Sequence, residues 1–155
     1  MKEGGNNMFN ILGIKFKLNI LFLIVLFLFA ISGLFLKSSI TFLVVTLHEL
    51  AHSLVAKRQG VQVNEIELLP FGGVAKFRDL IQLKPKAEIK IALAGPILNL
   101  ILAALTLLLI RYNLVVMTKG LFFIKINLII GIFNLIPALP LDGGRVLRAK
   151  LAAKY

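Results

Sequence analysis

Two histidines and a glutamate stand where a membrane helix would ordinarily carry none. The stretch "LVVTLHELAHSLVAKRQG", residues 43–60, is apolar for much of its length, yet it holds His48, Glu49 and His52. On a helix, residues i and i+4 share a face, so both imidazoles can reach one metal ion while the glutamate beside them takes a proton from water. Zinc suits this H-E-x-x-H arrangement, because it lowers the pKa of a bound water to about 7 and polarises a carbonyl. That is the chemistry of peptide-bond hydrolysis. An ionisable group at mid-membrane depth costs about 3 kcal/mol on insertion scales, and binding a metal offsets that cost. These are the only histidines in the chain, and a helix packed purely for structure would avoid them.

A catalytic zinc of this kind needs a third protein ligand and one open position. Glu65 and Glu67 fall in a region of alternating pattern, and Asp79 and Glu88 in a charged loop, where a solvated face is the simpler explanation. Asp142 differs. It ends an apolar run in "NLIPALPLDGGR", where Pro137 and Pro140 interrupt a helix and Gly143 and Gly144 let the backbone turn closely. A helix-terminating surface aspartate would look similar.

The elements that must position these residues are membrane spans. About twenty apolar residues cross a bilayer as a helix, and four segments qualify: Leu18 to Leu36, Ile40 to Ala56, Ile91 to Ile110 and Gly120 to Leu141. The first is too long in its apolar core for a signal peptide, and a further span follows almost at once. Lys and Arg counted in the short loops set the orientation. With the N-terminus in the cytoplasm, that side holds Lys15, Lys17, Lys57, Arg58, Lys76, Arg78, Lys84, Lys86, Lys90, Arg145, Arg148 and Lys150 among others, while the far side holds Lys37, Arg111 and Lys119. Both termini are therefore expected in the cytoplasm. His48, His52 and Asp142 then all approach the cytoplasmic half of the membrane. Between spans two and three, "VQVNEIELLPFGGVAKF" alternates on each side of Pro70 to Gly73, which predicts a short β-hairpin with a Gly-Gly turn at the cytoplasmic face.

Composition supports this class and excludes others. Of 155 residues, 59% are hydrophobic, twelve are Phe, and the mean hydropathy is +0.93, far outside the soluble globular range. The fold class expected is an all-α membrane protein of about four transmembrane helices with that small hairpin. The absence of cysteine excludes disulfides and thiolate metal sites. Eighteen Lys and Arg against seven acids flank the apolar spans and form no stripe with interleaved aromatics, so no nucleic-acid partner is expected; the lipid bilayer is. One integral-membrane domain over residues 1–155 is expected, with residues 1–10 disordered.

Four ordered motifs carry a resemblance. "HELAH" at 48–52, "LLPFGG" at 68–73, "AGPILN" at 94–99 and "NLIPALPLDGG" at 134–144 resemble the site-2 protease family of intramembrane zinc metalloproteases, peptidase family M50, and its stage IV sporulation protein FB branch. The likeness covers roughly residues 18–150. It implies one Zn2+ per chain held by His48, His52 and Asp142, Glu49 as the residue that activates water, and Asn134 as a residue that helps stabilise the oxyanion. A buried amide bonding a neighbouring helix is an equal reading of Asn134. Ala51 stands where the family most often has glycine, a mild change of helix surface. Family members usually continue past the aspartate segment, so this chain is either a minimal member or a truncated one.

The resemblance further implies a membrane-tethered regulatory protein as substrate, a sigma-factor precursor in the sporulation branch, and membrane-bound inhibitory proteins as partners. A peptide bond inside a membrane helix is shielded by its own hydrogen bonds, so the substrate must unwind. The hairpin residues Leu69, Pro70, Phe71, Gly72 and Gly73 are candidates to hold it by strand addition; plugging the cavity is the alternative. Two rival functions are a metal transporter, which predicts several sites along a path and repeated halves, and a catalytically inactive scaffold that binds membrane clients. The chain has one histidine cluster and no repeat, and a scaffold has no use for Glu49.

Overall fold

The computed structural model describes residues 8–11, 14–69, 72–77 and 83–154. The chain divides into two compact units, Met1–Ile81 and Gln82–Tyr155.

The first unit contains β1 (Met8–Ile11), β2 (Ile14–Leu18), α1 (Ile20–Ile31), α2 (Phe35–Arg58), β3 (Val63–Leu69) and β4 (Gly72–Phe77). Its strands form one four-stranded sheet in the order β1-β2-β3-β4. The outer pairs are antiparallel, whereas β2 and β3 run parallel, joined through the two helices. The strand β2 exists because "IKFKL" alternates: Ile14 and Phe16 are buried on one side, and Lys15 and Lys17 leave on the other. On that outer side Lys15 stands in register with Glu65 and Lys17 with Glu67, pairings of opposite charge that favour this alignment. The inner side, Ile14, Phe16 and Ile66, packs with Phe22 of α1 and with Phe42, Leu50 and Leu54 of α2. Phe22 and Phe42 meet edge to face at 4.5 Å.

Three expectations change here. The start of the chain is not disordered throughout, since residues 8–10 belong to β1, paired to β2; residues 1–7 lie outside the described residues. The glycines of the hairpin are not its turn. Gly72 and Gly73 open β4, in register with Leu69 and Leu68, while Pro70 and Phe71 lie outside the described residues. The first apolar run is not one continuous helix either. α1 has 12 residues, about 18 Å at 1.5 Å per residue, against a hydrocarbon core of about 30 Å.

The reason is a helix stop inside the run. Gly33 adopts φ 71, and Leu34 N donates to Phe29 O at 2.9 Å while Gly33 N donates to Ala30 O at 3.2 Å. This is a left-handed C-terminal cap, which glycine adopts without strain. At the other end Asn19 caps α1, accepting from Leu21 N at 2.9 Å and donating to Glu67 Oε1 at 3.2 Å. One residue thereby fixes the helix start to the middle of the sheet.

The second unit comprises α3 (Pro85–Arg111), α4 (Met117–Asn134) and α5 (Asp142–Ala152). Pro85 sits in the first turn of α3, where a missing N–H has no consequence. α3 turns the pattern of a soluble helix inside out: Asn99 and Thr106 are buried, while Ile101, Leu105 and Leu108 face outward. Such a helix has lipid on its apolar side and satisfies its polar groups within the protein. Asn99 Nδ2 donates to Asn127 Oδ1 at 3.1 Å, and Asn127 Nδ2 to Phe123 O at 2.9 Å. This amide bridge ties α3 to α4 and contributes about 0.6–1.7 kcal/mol. Gly131 lets the helices close beside it, because a Cβ there would lie 3.1 Å from that of Asn99.

Three of the described helices, α2, α3 and α4, are long and apolar enough to cross a membrane. The expected mostly helical fold with apolar helices of membrane-span length is therefore present, with the hairpin enlarged to a four-stranded sheet.

Candidate metal centre

α2 presents a stripe of buried residues at helical spacing: Val44, His48, His52 and Ala56. The repeat of four keeps them on one face. His48 and His52 are 4% and 2% exposed, and their rings cross at 82° with centroids 4.6 Å apart. Their Nε2 atoms face each other at 3.0 Å. Two tetrahedral ligands about 2.0–2.1 Å from a zinc ion would stand roughly 3.3 Å apart. The pair is thus already close to a chelating geometry, with the two Nε2 atoms facing each other.

Glu49 lies on the adjacent face of α2, with Val45 one turn before it. There β4 comes against the helix. A Cβ built on Gly73 would lie 2.6 Å from Glu49 Cγ and 3.5 Å from Val45 Cγ1. Sequence reasoning placed the hairpin near the histidines but missed this contact. The only signal for it was the double glycine, which reads equally well as a turn.

In the second unit Asp142 is the first residue of α5 and is buried. Its carboxylate suits a helix N-terminus, where free N–H groups and the helix dipole favour negative charge. The two glycines after it allow the first turn of α5 to press on the chain before it. A Cβ on Gly143 would collide with the Leu135 carbonyl oxygen, and one on Gly144 would lie 2.5 Å from the carbonyl carbon of Ala138. Arg145 Nη1 is 3.5 Å from Asp142 Oδ1, a long contact within the helix. Arg148 pairs with Glu88 of α3, and Ala149 is fully buried, so α5 is fastened to α3. Glu88 was expected on a solvated face; instead it is buried and salt-bridged. Asp79 lies outside the described residues.

Asn134, the last residue of α4, is half-buried and donates Nδ2 to Ile130 O at 2.9 Å. One of its two amide hydrogens is thereby committed to its own helix.

Among the described residues, His48, His52 and Asp142 form a group that could hold a metal ion, each offering one ligand atom and each buried. Two imidazoles and a carboxylate fit zinc, and three ligands leave a coordination position open.

The family model described as Peptidase family M50 matches residues 38–120 and 113–154. The chain belongs to peptidase family M50. Among its M50 relatives, a zinc metalloprotease of Methanocaldococcus jannaschii is 40% identical over 161 residues, covering 96% of this chain and 46% of the relative. Stage IV sporulation protein FB of Bacillus subtilis is 31% identical over 105 residues, covering 68% of this chain and 36% of that protein. The chain thus spans about half the length, or less, of these M50 relatives. Among solved structures, the site-2 protease from M. jannaschii matches with a TM-score of 0.75 and 35% identity, over 97% of this chain and 74% of that one.

Proposed function

We propose that this M50 chain is an intramembrane zinc metalloprotease, with His48, His52 and Asp142 as ligands and Glu49 as the general base. The carrying observation is the buried, mutually facing imidazole pair one helical turn apart on α2, with a carboxylate on the adjoining residue. When bound, zinc supplies a Lewis acid that polarises the scissile carbonyl and acidifies water. The chain's own residues do the rest. Glu49 takes the proton from the attacking water and returns it to the leaving amine, so no covalent intermediate forms. Asn134 keeps a second amide hydrogen that serves the developing oxyanion. On this reading residues 1–155 act as one metalloprotease domain. Cleavage of a membrane-tethered protein by the purified, zinc-loaded chain tests this reading.

The substrate proposed is a membrane-tethered regulatory protein. The sporulation relative favours processing of a sigma-factor precursor, with membrane-bound inhibitory proteins as regulators. The sidedness proposed is cytoplasmic for both termini. Its support is twofold: the Lys and Arg distribution, and the pairing of β2, just before α1, with β3, just after α2, which puts both ends of that helical pair on one side.

Substrate holding by strand addition falls to β4, together with Leu69 and the Pro70–Phe71 connection. β4 is an edge strand of the sheet and lies beside Glu49. Its outward N–H and C=O groups are those an unwound peptide would pair with. β3 is flanked on both sides, so a proline at Leu69 would injure the sheet itself. Proline introduced in turn at Val74 and Ala75 is the cleaner test, because successive N–H groups point to opposite edges. One of the two variants is expected to stay folded and zinc-loaded while its KM rises roughly 2–10-fold, the loss of one backbone hydrogen bond. Unchanged KM in every folded variant would leave the hairpin as a plug.

A further inference from the structure

We propose that Gly73 is a positioning residue for Glu49: its missing side chain lets the β4 backbone form a wall that holds the glutamate in its working direction. The proposal rests on the reading of Glu49 as the general base.

Gly73 is not needed for backbone shape. Among the described residues the glycines with positive φ are Gly33 and Gly60, so Gly73 has a conformation open to any L residue. Its requirement is space. Carbon atoms in contact sit about 3.5–4.0 Å apart, and a Cβ on Gly73 would stand 2.6 Å from Glu49 Cγ and 3.5 Å from Glu49 Cδ. The overlap falls on the stem of the glutamate, not on a mobile tip, so relief requires the whole side chain to swing. The strand cannot retreat freely, because Gly73 is held in register with Leu68 of β3, and β3 pairs with β2 on its other side. Val45 borders the same space, 3.5 Å from that Cβ position. Glu49 therefore lies over a rigid stretch of backbone, and the rotamers that would cross it are closed. A base must sit within hydrogen-bond reach of the proton it removes, and misplacement by about 1 Å can lower turnover about 10²-fold.

The ordinary alternative is that Gly73 only allows tight strand–helix packing. Zinc content and steady-state kinetics on a membrane-tethered substrate separate the two, comparing the wild-type chain, Gly73→Ala, Gly73→Ala/Val45→Ala and Glu49→Gln. Gly73→Ala is expected to keep about one zinc per chain and an unchanged KM while kcat falls about 10²-fold. Val45→Ala in the same chain is expected to restore part of kcat by giving the glutamate room. An unchanged kcat would overturn the proposal, as would a rise in KM alone, which would make Gly73 a substrate contact.

A second readout needs neither folding of the alanine variant nor activity. The chain has no cysteine, so a Val45→Cys/Gly73→Cys pair reports on this spacing: a Cβ on Gly73 would lie 3.5 Å from Val45 Cγ1, and a disulfide joins Cβ atoms about 3.5–4.5 Å apart. Its oxidation is expected to be faster in a Glu49→Ala background, where the stem no longer fills the gap. Equal rates would overturn the proposal. A wild-type chain that carries zinc and cleaves nothing would remove the protease reading instead, and the disulfide rates would still decide whether Gly73 shapes Glu49.

Discussion

Glu49→Gln is expected to lower kcat by about 10²–10⁴-fold while leaving zinc content at the wild-type level. The amide matches the carboxylate in size and reach, so contact with the β4 backbone at Gly73 is kept. Only the ability to accept a proton is lost. His48 and His52 keep their i, i+4 spacing on α2 whether position 49 is Glu or Gln. Kinetics and metal analysis on the same preparations check both halves. A variant that loses zinc together with activity would make Glu49 a ligand or a structural residue, and a fully active one would end its role as base.

Asp142→Ala is expected to do the reverse of a clean catalytic lesion: activity falls because zinc is lost. Structural zinc sites are worth about 10–16 kcal/mol in all. Shared among the ligands, one of them accounts for about 3 kcal/mol, or roughly a 10²-fold loss of affinity. The fold around position 142 should survive, because α5 is fastened independently by Arg148 to Glu88 and by Ala149. Competition with a chelator of known affinity measures the change. His48→Ala should show a comparable drop, and unchanged zinc affinity in either variant would remove that residue from the ligand set.

The candidate metal ligands were legible in the sequence because their signals are local. H-E-x-x-H needs only one helical turn, and Asp142 is marked by the prolines before it and the glycines after it. Longer-range features were not. β2 is five residues of strict alternation fused to an apolar run, so a hydropathy window merges strand and helix into one span. The stop at Gly33 is a matter of one backbone angle, and flanking apolar residues hide it. Glu88 and Arg148, 60 residues apart in sequence, looked like two unrelated interfacial charges. Gly73 gave no hint of what it faces, since a glycine in a hairpin fits a turn as readily as a close approach.

Removing and restoring the metal decides whether zinc carries the hydrolysis. The purified chain would be stripped with a chelator, then titrated with zinc while cleavage of a single-span protein carrying a helix-breaking Gly-Pro pair near its cytoplasmic end is followed. Cleavage should vanish on stripping and return in full at about one zinc per chain. Cleavage that persists in metal-free protein, or none at all in a fully zinc-loaded chain, would contradict it.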